Sequence, residues 1–169
     1  NSTWSNGTPV TAHDFEYSWK RTLTPETAAE YSYIMADIVG SSTKEIQENG
    51  VDGVGVKALD DYTLEVKLNR PVAYFAELVS FQVFFPQNQA FVESCGDAYG
   101  SAADKQLYNG PFTLTSWKME DQFTMEKNPN YWDAANVKLN KINTKVVKDT
   151  GAEVSLYEDG QIDRAILSS

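Results

Sequence analysis

Carboxylates are the commonest groups in this sequence that could do chemistry. Asp60-Asp61, Glu120-Asp121 and Glu158-Asp159 form adjacent pairs. General acid–base work needs two carboxyl groups converging on one bond, one of them kept protonated by its surroundings. Neighbours in sequence point to different sides of a strand and sit at different angles in a turn. All three pairs fall in turn-like stretches, where solvated Asp is the ordinary occupant. A carboxylate-based hydrolase is therefore a weak alternative. Cys95 is the single cysteine and His13 the single histidine. A cysteine nucleophile needs an adjacent base, and nothing in the sequence places His13 near Cys95. One His and one Cys cannot make a zinc site. Asp52-Gly53-Val54-Gly55 lacks the ligand density of a calcium loop, and Gly50, Gly53 and Gly55 match neither phosphate-loop pattern. The residues predict no cofactor, no metal and no catalytic group.

The aromatics carry more. Tyr31 and Tyr33 flank Ser32, so on a helix they point to opposite sides, one free to pack while the other faces a cleft or solvent. Tyr offers an apolar body and a polar tip, which suits a site accepting varied side chains. Trp117, Tyr131 and Trp132 fall at strand ends and turns, where a large ring is expected to pack against a core. The densest pattern runs through Tyr108-Asn109-Gly110-Pro111-Phe112 to Trp117, then Lys127-Asn128-Pro129-Asn130-Tyr131-Trp132-Asp133. It reads as a turn, an amphipathic hairpin and an aromatic turn in succession.

The elements that must position these residues follow from periodicity. Thr11 and Asp14 have capping-box spacing, and Phe15, Trp19 and Leu23 make a helical stripe that Pro25 stops. Residues 26–39 read as a second helix with Tyr31, Ile34, Met35 and Ile38 on its apolar face and Gly40 at its end. A short polar helix over 43–49 precedes a hairpin, in which Tyr62, Leu64, Val66 and Leu68 alternate with polar residues. Residues 73–79 suit a short helix, 81–85 a short buried strand, and 87–93 another helical turn. Residues 94–106 read as a loop between lobes. A second hairpin turns at Glu120-Asp121. A strand centred on 142–146, a helix through Leu156 and a last strand with Ile162, Ala165 and Ile166 complete the chain.

Bulk properties narrow the partners. The 169 residues carry 41% hydrophobic and 12% aromatic content, which argues against disorder. The net charge of −10 argues against nucleic acid and against docking on anionic lipid. No apolar run approaches the ~20 residues of a membrane span, so direct membrane insertion is not expected. No signal-peptide pattern opens the sequence, and Asn1-Ser2-Thr3-Trp4 reads as the middle of a longer chain. Asn1-Ser2-Thr3 and Asn6-Gly7-Thr8 match the short, common N-glycosylation pattern.

Five motifs in order resemble one family. They are Asn6-Gly7-Thr8-Pro9-Val10-Thr11-Ala12-His13-Asp14-Phe15 with Ser18-Trp19-Lys20-Arg21; Ala58-Leu59-Asp60-Asp61-Tyr62-Thr63-Leu64; Tyr108-Asn109-Gly110-Pro111-Phe112; Asn128-Pro129-Asn130-Tyr131-Trp132-Asp133; and Tyr157-Glu158-Asp159-Gly160-Gln161-Ile162-Asp163. The chain is similar to the extracytoplasmic solute-binding proteins of ABC importers, in the peptide- and nickel-binding class, and within it to the oligopeptide-binding proteins. The resemblance covers essentially the whole chain and is bacterial, which sets the glycosylation pattern aside.

The resemblance implies a mixed α/β fragment of a type II periplasmic-binding-protein-like fold, holding the first lobe only, with an α+β extra subdomain. Residues 1–104 correspond to that extra subdomain and 105–169 to part of the main α/β subdomain. It implies no enzyme. It implies an oligopeptide held in extended form through its backbone in an interlobe cleft, and delivery to a membrane permease. The location implied is extracytoplasmic, as a cell-surface lipoprotein or in the periplasm. The alternative is the same fold with another cargo, such as a signalling peptide, a nickel chelate or a sugar. By position, Tyr31 and Tyr33 match aromatics that approach the ligand. Asn109, Gly110 and Phe112 match a turn at the cleft side, and Phe81 and Gln82 lie in a segment that the resemblance implies also lines the cleft. Cys95 has no role in the family pattern. Half of a two-lobed site is expected to bind weakly or not at all.

Overall fold

The computed structural model describes residues 2–165. Asn1 and Ile166, which carry part of the glycosylation pattern and part of the expected last strand, lie outside them. The chain is mixed α/β, with five α-helices, two antiparallel sheets and several 3-10 turns among the described residues.

Helix α1 (Ala12–Leu23) starts where the capping box predicts. The Thr11 N–H donates to Asp14 Oδ2 at 2.8 Å, and the indole N–H of buried Trp4 reaches the same oxygen at 3.2 Å. The helix buries Trp19 and Leu23. Trp19 donates from its indole to the Phe84 carbonyl at 2.8 Å, and its ring meets that of Phe84 edge-on with centroids 5.0 Å apart. This satisfies the one polar atom of a large buried ring. Around the pair gather Met35, Ile38, Ile46, Val54 and Val56, forming the core. Helix α2 (Thr43–Asn49) is capped by Ser42, whose hydroxyl accepts the Glu45 N–H. Strands β1 (Val56–Asp60) and β2 (Thr63–Val66) pair antiparallel, with Val56 opposite Val66. Glu16 on α1 accepts the Ala58 N–H at 2.8 Å and the Lys20 ammonium at 2.8 Å, tying helix to hairpin. Burial pushes the Glu16 carboxyl up, but these two donors and the nearby positive charges outweigh it and hold it below its ordinary value.

Residues 26–39 do not form the expected helix. They make 3-10 turns at Pro25–Thr27 and Ser32–Met35, separated by Ala28 in the left-handed region at φ 49. The apolar spacing is real, since Met35 and Ile38 are buried. Tertiary anchoring overrides the helical pattern: Ile38 bridges to Leu68, and Asn69 Nδ2 donates to the carbonyls of Ala36 and Ile38. Residues 81–85 are likewise not a strand; they hold the 3-10 turn Gln82–Phe84, with Phe84 buried and Phe81 and Phe85 exposed. Helices α3 (Phe75–Leu78) and α4 (Gln89–Cys95) flank that turn. Two further 3-10 turns sit within the expected loop over 94–106.

A second sheet has the order β3 (Phe112–Lys118), β4 (Gln122–Lys127), β5 (Lys141–Lys145), all antiparallel. Leu114, Met125 and Ile142 stand opposite one another on one face, joined by the pair Trp117–Phe123. A bulge between Leu114 and Ser116 returns Trp117 to the face of Leu114 although the two are three positions apart. The other face carries Thr113, Glu126 and Lys141. Helix α5 (Thr150–Glu158) follows. The described residues 162–165 form no strand, contrary to the sequence expectation.

The two regions differ in packing. The buried apolar residues all lie between Trp4 and Val92, and beyond them Asn128 is the one buried side chain among the described residues with an assigned burial. The apolar face of the β3–β5 sheet is only partly covered.

Candidate functional site

The seven sequence candidates fall into three places. Tyr31 precedes and Tyr33 lies within the 3-10 turn Ser32–Met35, which Met35 and Ile38 nail to the core. They do not point to opposite sides: without the helix, their rings come together with centroids 6.0 Å apart and planes tilted by 39°. Both are exposed, Tyr31 by 44% and Tyr33 by 68%. Tyr31 stands just outside the turn, at φ −101 and ψ 17, and the two rings form a single aromatic step on an anchored base. Asp37 strengthens the base, accepting from the Arg70 guanidinium at 3.0 Å and from the Tyr74 hydroxyl at 3.1 Å.

Phe81 and Gln82 form the second place. Both are exposed, on a turn whose next-but-one residue, Phe84, sits in the core. Ser18 Oγ donates to the Phe85 carbonyl at 2.6 Å and holds the segment against α1.

Asn109, Gly110 and Phe112 form the third. All three are partly exposed and open β3. The turn before β3 is fastened to chain ends that the sequence separates widely. The Ser5 N–H donates to the Tyr108 carbonyl, and Asn128 Nδ2 donates to the Gly110 carbonyl. Burial raises the Tyr108 phenol above its ordinary value, although its hydroxyl reaches the Ala103 carbonyl only at 3.4 Å.

Two depressions flank α1. One, of about 480 Å³, is apolar and lined by residues including Phe15, Trp19, Leu64, Phe75 and Phe84. The other, of about 490 Å³, is polar, with Glu16, Lys20, Arg21 and Asp52 among its lining. None of the seven candidates lines either. The carboxylates of the polar one are spoken for: Lys20 pairs with Glu16 at 2.8 Å and approaches Asp52 at 3.5 Å. His13 approaches Asp61 at 3.6 Å on the surface. Among the described residues, no group of three or more His, Cys, Asp or Glu could hold a metal ion, and no helix is long and apolar enough to cross a membrane. Cys95 ends α4, partly buried and unpaired with any other cysteine.

Trp117 and Trp132 depart from their expected packing role. Trp117 is 42% exposed, and Trp132 67%, its ring tilted against Tyr131 with centroids 5.6 Å apart. What the sequence reading missed is the polar centre beside them. Asn128 is fully buried and joins the strand start to the aromatic turn, whose Asn130 in turn holds Thr3 and Ser5 near the start of the chain. The Asn-Pro-Asn pattern signalled a turn but not its distant partners.

Comparison with known proteins places this geometry. A family model for bacterial extracellular solute-binding proteins, family 5 (middle region), matches residues 1–169. The chain is 40% identical over 162 residues to the oligopeptide-binding protein OppA of Bacillus subtilis, a match covering 96% of this chain and 30% of that one. Among solved structures it superposes on the substrate-binding domain of an oligopeptide ABC transporter from Bacillus anthracis, with a TM-score of 0.90 and 48% identity, covering 95% of this chain and 31% of that one. It also superposes on Listeria monocytogenes OppA bound to peptide, with a TM-score of 0.92 and 44% identity, covering 99% of this chain and 33% of that one. The chain thus spans about a third of the length of the relatives it matches.

Proposed function

Because the chain belongs to the bacterial extracellular solute-binding proteins of family 5, we propose that it forms one wall of a peptide-binding site in a longer protein. That protein carries oligopeptides, outside the cytoplasm, to an ABC permease, and it performs no catalysis. The observation that carries the reading is the likeness across nearly the whole chain to an OppA bound to peptide. In this reading residues 1–104 are an extra subdomain and 105–169 belong to the main α/β subdomain of the same lobe, and a lipid anchor or the periplasm keeps the parent at the cell surface. The confinement of buried apolar residues to Trp4–Val92 supports the division.

The exposed candidates suit such a wall. Tyr31 and Tyr33 give an aromatic step, Phe81 and Gln82 an apolar and a carboxamide contact, and Asn109, Gly110 and Phe112 a turn with accessible backbone. Large rings and roomy contacts tolerate varied side chains, while backbone groups read what all peptides share.

One wall buries too little of a peptide to meet the entropy lost on binding. Titration calorimetry against a mixed library of short peptides is therefore expected to give binding by the full-length parent and none measurable by this chain alone. Tight binding by the chain alone, or none by the parent, would overturn the reading.

A further inference from the structure

We propose that Asn128 is a positioning residue for peptide binding: its buried carboxamide sets the turn over residues 108–111, and through it the groups of Asn109 and Gly110. The proposal rests on the peptide-binding reading above for what that turn meets, but not for how the turn is held.

The turn is fastened at both shoulders. On one side, the Ser5 N–H donates to the Tyr108 carbonyl at 2.6 Å and Ser5 Oγ accepts the Tyr108 N–H at 3.2 Å. On the other, Asn128 Nδ2 donates to the Gly110 carbonyl at 2.9 Å, and the Asn128 backbone N–H donates to the Pro111 carbonyl at 2.9 Å. Asn128 Oδ1 accepts the Asn130 N–H at 3.0 Å. Asn130 closes the ring, its Nδ2 donating to the Ser5 carbonyl at 2.9 Å while its own carbonyl accepts from Thr3 Oγ1 at 2.6 Å. Asn128 is 0% exposed. A buried carboxamide is costly unless both its ends are satisfied, and here both are.

Between the shoulders the turn is free. Neither the Asn109 side chain nor the N–H groups of Asn109 and Gly110 have a hydrogen-bond partner among the described residues. A Cβ placed on Gly110 would meet nothing within 4 Å. Free donors held between fixed points are the arrangement that backbone recognition rewards, because their ordering cost is met before the ligand arrives. Only a group that donates and accepts at once can do what Asn128 does. A carboxylate keeps the Asn130 contact and loses the one to Gly110.

That difference supplies the test, made on the full-length parent with a fluorescein-labelled pentapeptide. N128D is expected to weaken affinity about tenfold near neutral pH, the loss of one buried hydrogen bond. A buried carboxyl facing a carbonyl has its pKa raised, so on acidification the introduced group becomes protonated and donates to Gly110 again. Affinity relative to the unsubstituted parent should then recover to within about threefold near pH 5, whereas N128A stays weak at both. A residue that only stabilised the fold would leave the affinity of the folded protein and its pH ratio unmoved, and that result overturns the proposal. If N128D does not fold, S5A removes the acceptor for Tyr108 at the less buried shoulder and should weaken affinity about threefold; unchanged affinity in folded S5A overturns the proposal equally. If the unsubstituted parent binds no peptide, the peptide-binding reading fails. Hydrogen exchange at the Tyr108 amide, held by Ser5 Oγ, and at the residue 128 amide, held by the Pro111 carbonyl, then decides the positioning role, faster in N128D if it holds and unchanged if it does not.

Discussion

Glu16 shows how one side chain can join two elements. It receives the Lys20 ammonium from its own helix and the Ala58 N–H from β1, and its carboxyl is held below the ordinary value. A carboxylate with a depressed folded pKa contributes stability that is present above its unfolded pKa and lost as pH falls through the folded one. Glu16→Gln is therefore expected to cost about 1 kcal/mol at neutral pH. The gap between variant and unsubstituted chain should close below the ordinary Glu range, as Glu16 is protonated and becomes as neutral as the Gln that replaces it. Denaturant unfolding of the two at pH 7 and at about pH 3 measures it; an equal gap at both values would assign the effect to shape rather than charge. The tyrosine pair makes the opposite point. Tyr31 and Tyr33 add little to the core, and their value lies in the surface they make together, which no helical spacing rule would have brought about.

Among the elements, the connection through Gly40 is the tightest. Its φ is +72, and a Cβ there would lie 2.3 Å from the Gly53 carbonyl oxygen. The loop before α2 can approach the turn after it only because nothing projects from Gly40. Gly40→Ala combines a left-handed backbone with a backbone clash, and is expected to destabilise by at least about 2 kcal/mol, read as a fall in the denaturant midpoint. Retention of the midpoint would mean that the two loops part at little cost. Gly40 also illustrates what could be read in advance. Helix α1, its cap, both hairpins and the turn at Glu120-Asp121 follow from periods of 3.6 and 2 and from local capping chemistry. Residues 26–39 and 81–85 do not, because short apolar runs fit several backbones and the choice falls to distant partners such as Asn69 and Trp19. The candidate positions were legible as residue types at a surface. Their arrangement was not, since Asn128, Ser5 and Gly110 are brought together only by the whole chain.

The whole molecule has one well-filled core and one sheet with a partly bare apolar face. Leu114, Trp117, Phe123, Met125 and Ile142 share that face, and none of them is buried. A face of that kind marks an interaction surface or an association liability. The isolated chain is expected to bind the dye ANS and to show a weight-average mass that rises with concentration in sedimentation equilibrium. The full-length parent, about two thirds of whose length lies outside this chain and can cover the face, should do neither. A monomeric, dye-silent isolated chain would mean that the face is covered from within.

The ring of hydrogen bonds around Asn128 also has a meaning in time. It joins Thr3 and Ser5 to Asn130 across sequence separations of 127 and 125 residues, whereas the hairpins close over a few. Drawing together the ends of so long a flexible segment costs about 4 kcal/mol in chain entropy. Contacts of that range are out of reach until nearer ones have shortened the chain. The clasp is thus expected to close after the nearer contacts between its halves, and the turn it holds to be set with it.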